Sequence, residues 1–430
     1  KPESTADIFI KGGETGNHRL YGRLRKGWNL GDGRLSFNLS AGTWSKHSVS
    51  DRSDLVLDVA FRTHGVVRYQ QGRDLDLSLH AGWVFGDGVF SVHMGDMRID
   101  DASTIWSMAK ASFSLGEKIR LKLQIYHVRF KTHFDYRSEF YAYDMWVADI
   151  PDLMGLTSTS DGQVQLDLEI LEDLDLVGGL NARYTSMSDE NMYVLDDDEL
   201  RLALFAQLQW ILWEKLQLTA GLRLDAAKPR KDFQLMLSPR AVAVFRPWEK
   251  HAFRLGYALA FRKPSFYENR IHIDVVDYAF PEVPDKMKES LGNESLVNER
   301  VHSLDAGWQV RLLEDKLQFS VDLFYNIYQN AIYFRTEMWG RLGAPDIANS
   351  IFRFENQEND IRAVGGEAEV TWNPDDAWRV WANVGLRKVT DAGTDADLPG
   401  EPHLRVNVGG RYLPSSGWVL DLSVHYVSAY

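Results

Sequence analysis

The stretch "ELRLALFAQLQWILWEKLQLTAGLRLD", residues 199–225, decides the fold. Side chains on a strand point to opposite faces at every second residue. The even positions Leu200, Leu202, Leu204, Ala206, Leu208, Trp210 and Leu212 form an unbroken apolar row, whereas Glu199, Arg201, Ala203, Phe205, Gln207 and Gln209 are mixed and largely polar. After Trp213-Glu214-Lys215 the apolar row resumes as Leu216, Leu218, Ala220, Leu222 and Leu224, against Gln217, Thr219, Arg223 and Asp225. The pattern predicts a hairpin with one wholly apolar face, greasier than an ordinary water-facing surface.

The same alternation recurs along the chain. Leu35, Phe37, Leu39 and Ala41 stand against Ser36, Asn38 and Ser40, and Leu75, Leu77, Leu79 and Trp83 against Asp76, Ser78 and His80. Val164, Leu166, Leu168 and Ile170 stand against Gln163, Gln165, Asp167 and Glu169. The connections fall into two classes that take turns. Tight ones include "GDG" at 31–33, "WEK" at 213–215, "LEDK" at 313–316 and "NPDDA" at 373–377; long ones occupy roughly 86–101, 134–161, 187–198, 264–297 and 335–351. Short turns on one rim and long loops on the other are the signature of an outer-membrane barrel. A soluble sandwich or propeller also alternates, but it has no reason to sort its loops this way, and no repeat of constant length is visible. The expectation is an all-β antiparallel transmembrane β-barrel, one domain over residues 1–430.

Composition is compatible with this. Mean hydropathy is −0.31 and no run of about 18 apolar residues exists; lumen-facing polar residues dilute a strand-built membrane protein to such a value. The net charge of −13, without a basic run, argues against nucleic acid as a partner. With no cysteine, disulfides, thiol catalysis and thiolate metal sites are excluded. No nucleophile–base pair and no phosphate-binding glycine loop is present, so no enzyme and no cofactor is expected. "GDG" at 31–33 and 86–88 reads as turn chemistry.

Residues 238–268, "SPRAVAVFRPWEKHAFRLGYALAFRKPSFYE", resemble the barrel of TonB-dependent outer-membrane receptors. Ser238, Pro239, Arg240, Arg246, Pro247, Ala260, Phe261, Arg262, Pro264, Ser265 and Glu268 occupy the places of that family's Ser-Pro-Arg strand and its Ala-Phe-Arg-x-Pro-Ser strand end. Asn293, Leu296 and Glu299 match its Asn-x-x-Leu-x-x-Glu phrase, and Phe324-Tyr325-Asn326 its next outgoing strand. The resemblance implies a 22-stranded barrel with an amino-terminal plug and a box that binds TonB. About 19 strands can be assigned here and "ADIFIKGGETGN" looks like the first barrel hairpin, so the expectation is a piece of a longer receptor, without plug or final strands. It also implies an outer-membrane place, lipid around the wall, TonB engaged through the plug, and import of a small-molecule or metal-chelate ligand such as a ferric siderophore. A passive porin-like channel and a structural barrel are the alternatives.

Ligand recognition is expected on the long loops, where function concentrates. Tyr136, Arg137, Phe140, Tyr141, Tyr143 and Trp146 offer rings to stack and a cation to pair; Arg270, His272 and Tyr278 are the candidates of the 267–293 loop. The same aromatics would also suit a membrane-interface girdle. Asp196, Asp197, Asp198 and Glu199 could gather oxygen ligands for calcium, although adjacent carboxylates more often stay hydrated. The histidines show no metal-ligand spacing.

Overall fold

The computed structural model describes residues 4–12, 18–47, 56–92, 95–135, 140–142, 145–147, 153–190, 197–229, 234–270, 292–341, 344–398, 402–414 and 417–429. The chain opens with β1 (Ser4–Gly12), β2 (His18–Leu30), β3 (Gly33–His47), β4 (Val56–Gln71), β5 (Leu75–Val92), β6 (Gly95–Ser114) and β7 (Ile119–Asp135). A small ribbon of β8 (Phe140–Ala142) and β9 (Met145–Val147) precedes β10 (Leu153–Leu171), β11 (Leu174–Glu190), β12 (Asp197–Leu212), β13 (Leu216–Pro229), β14 (Gln234–Phe245) and β15 (His251–Arg262). A one-turn helix α1 (Phe266–Arg270) leads to β16 (Glu299–Leu312) and β17 (Leu317–Gln329). A second ribbon, β18 (Ile332–Arg341) and β19 (Ala344–Asn356), is followed by β20 (Ile361–Trp372), β21 (Trp378–Asp391), β22 (Leu404–Tyr412) and β23 (Leu420–Val427).

All strands outside the two ribbons join one 19-stranded antiparallel sheet. Each pairs with its neighbour in sequence, and where a ribbon intervenes β7 pairs with β10 and β17 with β20. Among the described residues no pairing joins β1 to β23. No described helix is long and apolar enough to cross a membrane; the crossing is done by strands, whose ladder groups are satisfied by their neighbours in the wall.

Register explains which face meets which solvent. Leu180, Leu204 and Leu224 align across β11, β12 and β13, and Leu176, Leu208 and Ala220 do the same lower down. This shared row is bare: Leu204 is 55% exposed and Leu180 59%. The polar row is the packed one, with Asp161 4%, Glu199 7% and Asp225 3% exposed. Soluble folds show the reverse. Apolar side chains outward and charged ones inward are the arrangement of a barrel set in hydrocarbon around a wet lumen.

The strands also overshoot the bilayer. About 9–11 tilted residues cross it, whereas β6 has 20 and β10 has 19. At the long-loop end the outward row turns polar, as Ser107, His127 and Ser160, where His127 Nδ1 lies 2.9 Å from Ser160 Oγ.

Three expectations are corrected. "GDG" at 86–88 is not a turn: β5 runs through it to Val92, with a register shift between Gly86 and Gly88, because glycine admits a bulge inside a strand. The alternating runs 316–334 and 352–373, each read from its pattern as one strand, divide in two, since Asn330 takes φ 53° and the chain turns again before Ile361. The severed pieces pair with each other as the β18–β19 ribbon. The turn at Gly31, φ 58°, is as expected.

Candidate functional site on the lumen wall and outer rim

Near the outer end of β1–β4 the inward rows form a groove of about 350 Å³, lined by Phe9, Arg19, Tyr21, Trp44 and Arg62. Gly42 makes it possible: a Cβ there would stand 2.7 Å from the Leu20 carbonyl and 3.2 Å from the Tyr21 ring. Tyr21 therefore lies across the gap, and the Arg62 guanidinium sits 5.9 Å from both the Tyr21 and Trp44 rings. Two aromatic faces and two cations within one concave wall suit a planar, anionic guest.

Elsewhere on the inward face, along β10–β17, the polar rows form an ion-pair ladder. Asp161 on β10 accepts hydrogen bonds from Arg183 Nε at 2.9 Å and Asn181 Nδ2 at 3.0 Å on β11, while Arg183 rests 5.9 Å from the Tyr126 ring. On β12 Arg201 donates to Glu199 at 3.0 Å, and on β13 Arg223 holds Asp225 with bonds of 2.8 and 2.9 Å. Further round, Arg254 bridges Asp305 and Asp322 at 3.2 and 3.1 Å. Strand parity alone places these residues on one face, because each is an inward position of its strand.

At the outer rim the phrase "SFYE", 265–268, forms a capping box. Ser265 Oγ accepts from the Glu268 amide at 3.2 Å, and Glu268 Oε2 accepts from the Ser265 amide at 2.7 Å. Arg262 donates to Glu268 at 2.8 Å and also pairs with Glu299, which accepts from the Ile332 amide at 2.6 Å. Lys263 pairs with Glu199, and Arg270 pairs with Asp197 at 3.1 Å and with Glu294. Tyr267 packs edge-on to Phe354, ring centroids 5.6 Å apart. Asn293 and Asn356 donate to the backbone of Phe354 and Asn330 at 2.8 and 2.7 Å. The knot thus ties α1 to the start of β12 on one side and to the β18–β19 ribbon on the other.

Burial sets its electrostatics. It pushes the Lys263 amine down to about 8 from 10.5, against the pull of Asp197. For Glu268 burial raises the carboxyl, but hydrogen bonds from Arg262 and Ser265 outweigh it and hold the group below its ordinary range. Burial raises the Tyr267 phenol.

Of the residues expected at the site, Arg270, Asp197 and Glu199 are brought into this knot, Arg270 touching Asp197 directly and Glu199 meeting Lys263. Asp198 is exposed and its amide bonds Asp197 Oδ1 at 2.9 Å. Phe140 and Tyr141 fall in β8 and Trp146 in β9, with Tyr141 opposite Trp146 in the ribbon. Tyr136, Arg137, Tyr143, Asp196, His272 and Tyr278 lie outside the described residues. Sequence reading missed Lys263, Glu268, Glu299, Arg62, Trp44 and the ladder. The "SFYE" box and the inward parity were the signals available.

A family model described as "TonB dependent receptor-like, beta-barrel" matches residues 10–430. No curated protein sequence matches the chain. Among solved structures, the copper transporter OprC is similar with a TM-score of 0.77 and 17% identity, over 99% of this chain and 69% of that one. The siderophore receptor PirA from Pseudomonas aeruginosa gives 0.71 and 15%, over 99% and 71%. The FrpB iron transporter from Neisseria meningitidis gives 0.67 and 12%, over 99% and 68%. Likeness at these identities is a likeness of fold.

Proposed function

Because the chain belongs to the TonB-dependent receptor-like β-barrel family, whose members are outer-membrane proteins and not enzymes, we propose that it is the wall of an importer for an anionic metal chelate of the ferric-siderophore class. The outer membrane is its place, and residues 1–430 act as a single barrel domain. The observation that carries the cargo reading is the groove in which Arg62 lies between Tyr21 and Trp44, with Arg19 beside it. Rings stack on the flat aromatic groups of such a chelate, and two guanidiniums match its negative charge. The names of similar structures, an iron transporter, a siderophore receptor and a copper transporter, support metal cargo. Loop residues Tyr136, Arg137, Phe140, Tyr141, Tyr143, Trp146, Arg270, His272 and Tyr278 would complete the mouth.

Passage then needs energy, which the outer membrane lacks. TonB, acting through a plug seated on the ladder, supplies it in this reading, and the ladder's paired charges give the plug a wet face to slide along. The test is uptake of radiolabelled ferric siderophores by iron-starved cells with and without TonB. Uptake only with TonB, and at least about tenfold weaker binding by Arg62→Ala, is the expected result. Energy-independent entry of small solutes would instead establish a passive pore.

A further inference from the structure

Next to the groove, one inward position below Arg62 on β4, the inward face of β3–β6 holds a second cluster that neither the ladder nor the rim uses. Asn38, Val66, His80 and Met108 stand in one cross-strand row, and His64, Gly82 and Trp106 in the next. The His64 and His80 rings are stacked, with centroids 6.0 Å apart and planes at 16°. A Cβ at Gly82 would stand 2.6 Å from the Trp106 indole, so the glycine allows that ring to fold over to within 5.1 Å of His64. His64 Nε2 is buried without a hydrogen-bond partner, and so is Asn38 Oδ1. Buried polar atoms left unsatisfied are costly, and such atoms need an explanation.

We propose that His64, His80 and Met108 form a binding site for a soft monovalent metal ion of the copper(I) class on the lumen wall. The donors are two imidazole nitrogens and a thioether sulfur, a set that soft ions select. His80 Nε2 is held by Ser78 Oγ at 3.1 Å, which leaves Nδ1 as its donor atom; in neutral imidazole one nitrogen carries the proton and the other is free to ligate. The orphaned Nε2 of His64 is the second donor, and Met108, opposite His80 in register, brings the third. No carboxylate joins the set: Asp76 is engaged by Arg68, and Arg68, Ser78 and Lys110 occupy the adjacent row. Positive neighbours and neutral ligands penalise a dication twice as heavily as a monocation. The Trp106 ring shields one side from water. This site is independent of which cargo crosses the barrel.

The test is calorimetric titration of the intact protein in detergent with silver(I), a redox-inert soft monocation, in chloride-free buffer, and with zinc(II). Silver should bind in a one-to-one ratio and zinc should not compete. Met108→Leu, which preserves volume, and His64→Ala should each weaken silver binding at least about tenfold. His127→Ala, on the outward face, should leave it unchanged, and a heat-dependent shift in gel mobility confirms that each variant is folded. Equal silver affinity in the native protein and Met108→Leu overturns the proposal, as does zinc binding as tight as silver, or no silver binding at all.

Discussion

Leu204 and Gln209 lie five residues apart on β12 yet belong to different solvents. Leu204 is 55% exposed on the apolar row, and Gln209 is half-buried on the polar one. Leu204→Arg therefore puts a charge into hydrocarbon, at a cost of about 2–4 kcal/mol near the midplane, while Gln209→Arg should stay within about 1 kcal/mol; urea unfolding in lipid vesicles measures both. Equal costs would refute the orientation of the wall. Lys263 gives a pH signature. Its amine titrates at 10.5 when free and at about 8 in the folded rim. Between those values the unfolded chain holds the extra proton, so stability rises with pH from about 8 to 10.5, and below 8 the penalty is complete. Lys263→Met should flatten that rise in denaturation midpoints. At this scale the sequence showed which residues face outward, since parity needs only counting. It did not show that Arg270 meets Asp197, because a contact 73 positions apart depends on where the α1 segment folds back.

Among the elements, the β12–β13 turn carries backbone strain. Trp213 and Glu214 take φ of 52° and 60°, the geometry of a type I′ hairpin that favours Asn-Gly. Each non-glycine residue in this region costs roughly 1–2 kcal/mol, so Trp213-Glu214→Asn-Gly should raise barrel stability by about 1 kcal/mol, seen as a higher urea midpoint. A fall would show that the exposed Trp213 anchors the hairpin to the inner leaflet. The α1 capping box behaves oppositely: Ser265→Ala removes an oxygen that accepts from the Glu268 amide and should destabilise the helix by about 1 kcal/mol, read as faster local proteolysis of the outer rim with the barrel intact. The strands of the wall were legible, because their period-2 rows persist for a dozen residues, whereas the β8–β9 ribbon and most of the β18–β19 ribbon lie in stretches read as long loops. Strand ends were not. The runs around 330 and 357 carry no glycine or proline to announce the breaks that create the β18–β19 ribbon, and the glycines at 86–88 announce a turn that a bulge replaces.

For the whole molecule, the proposed importer requires that ligand entry collapse without TonB while surface binding persists, since the groove lies in the wall and TonB would act from the other side. The barrel class was readable because hydrocarbon outside and water inside impose opposite demands on alternate residues all along 430 positions. The groove was not readable, for Phe9, Tyr21, Trp44 and Arg62 come from four strands whose register only the pairing reveals.

Neighbour-only pairing has one more consequence. The wall closes over the β8–β9 and β18–β19 ribbons by joining β7 to β10 and β17 to β20, so neither ribbon contributes a single rung to it. Evolution can lengthen, exchange or delete such crests without disturbing the palisade beneath. The mouth is free to track a changing diet while the staves keep their places.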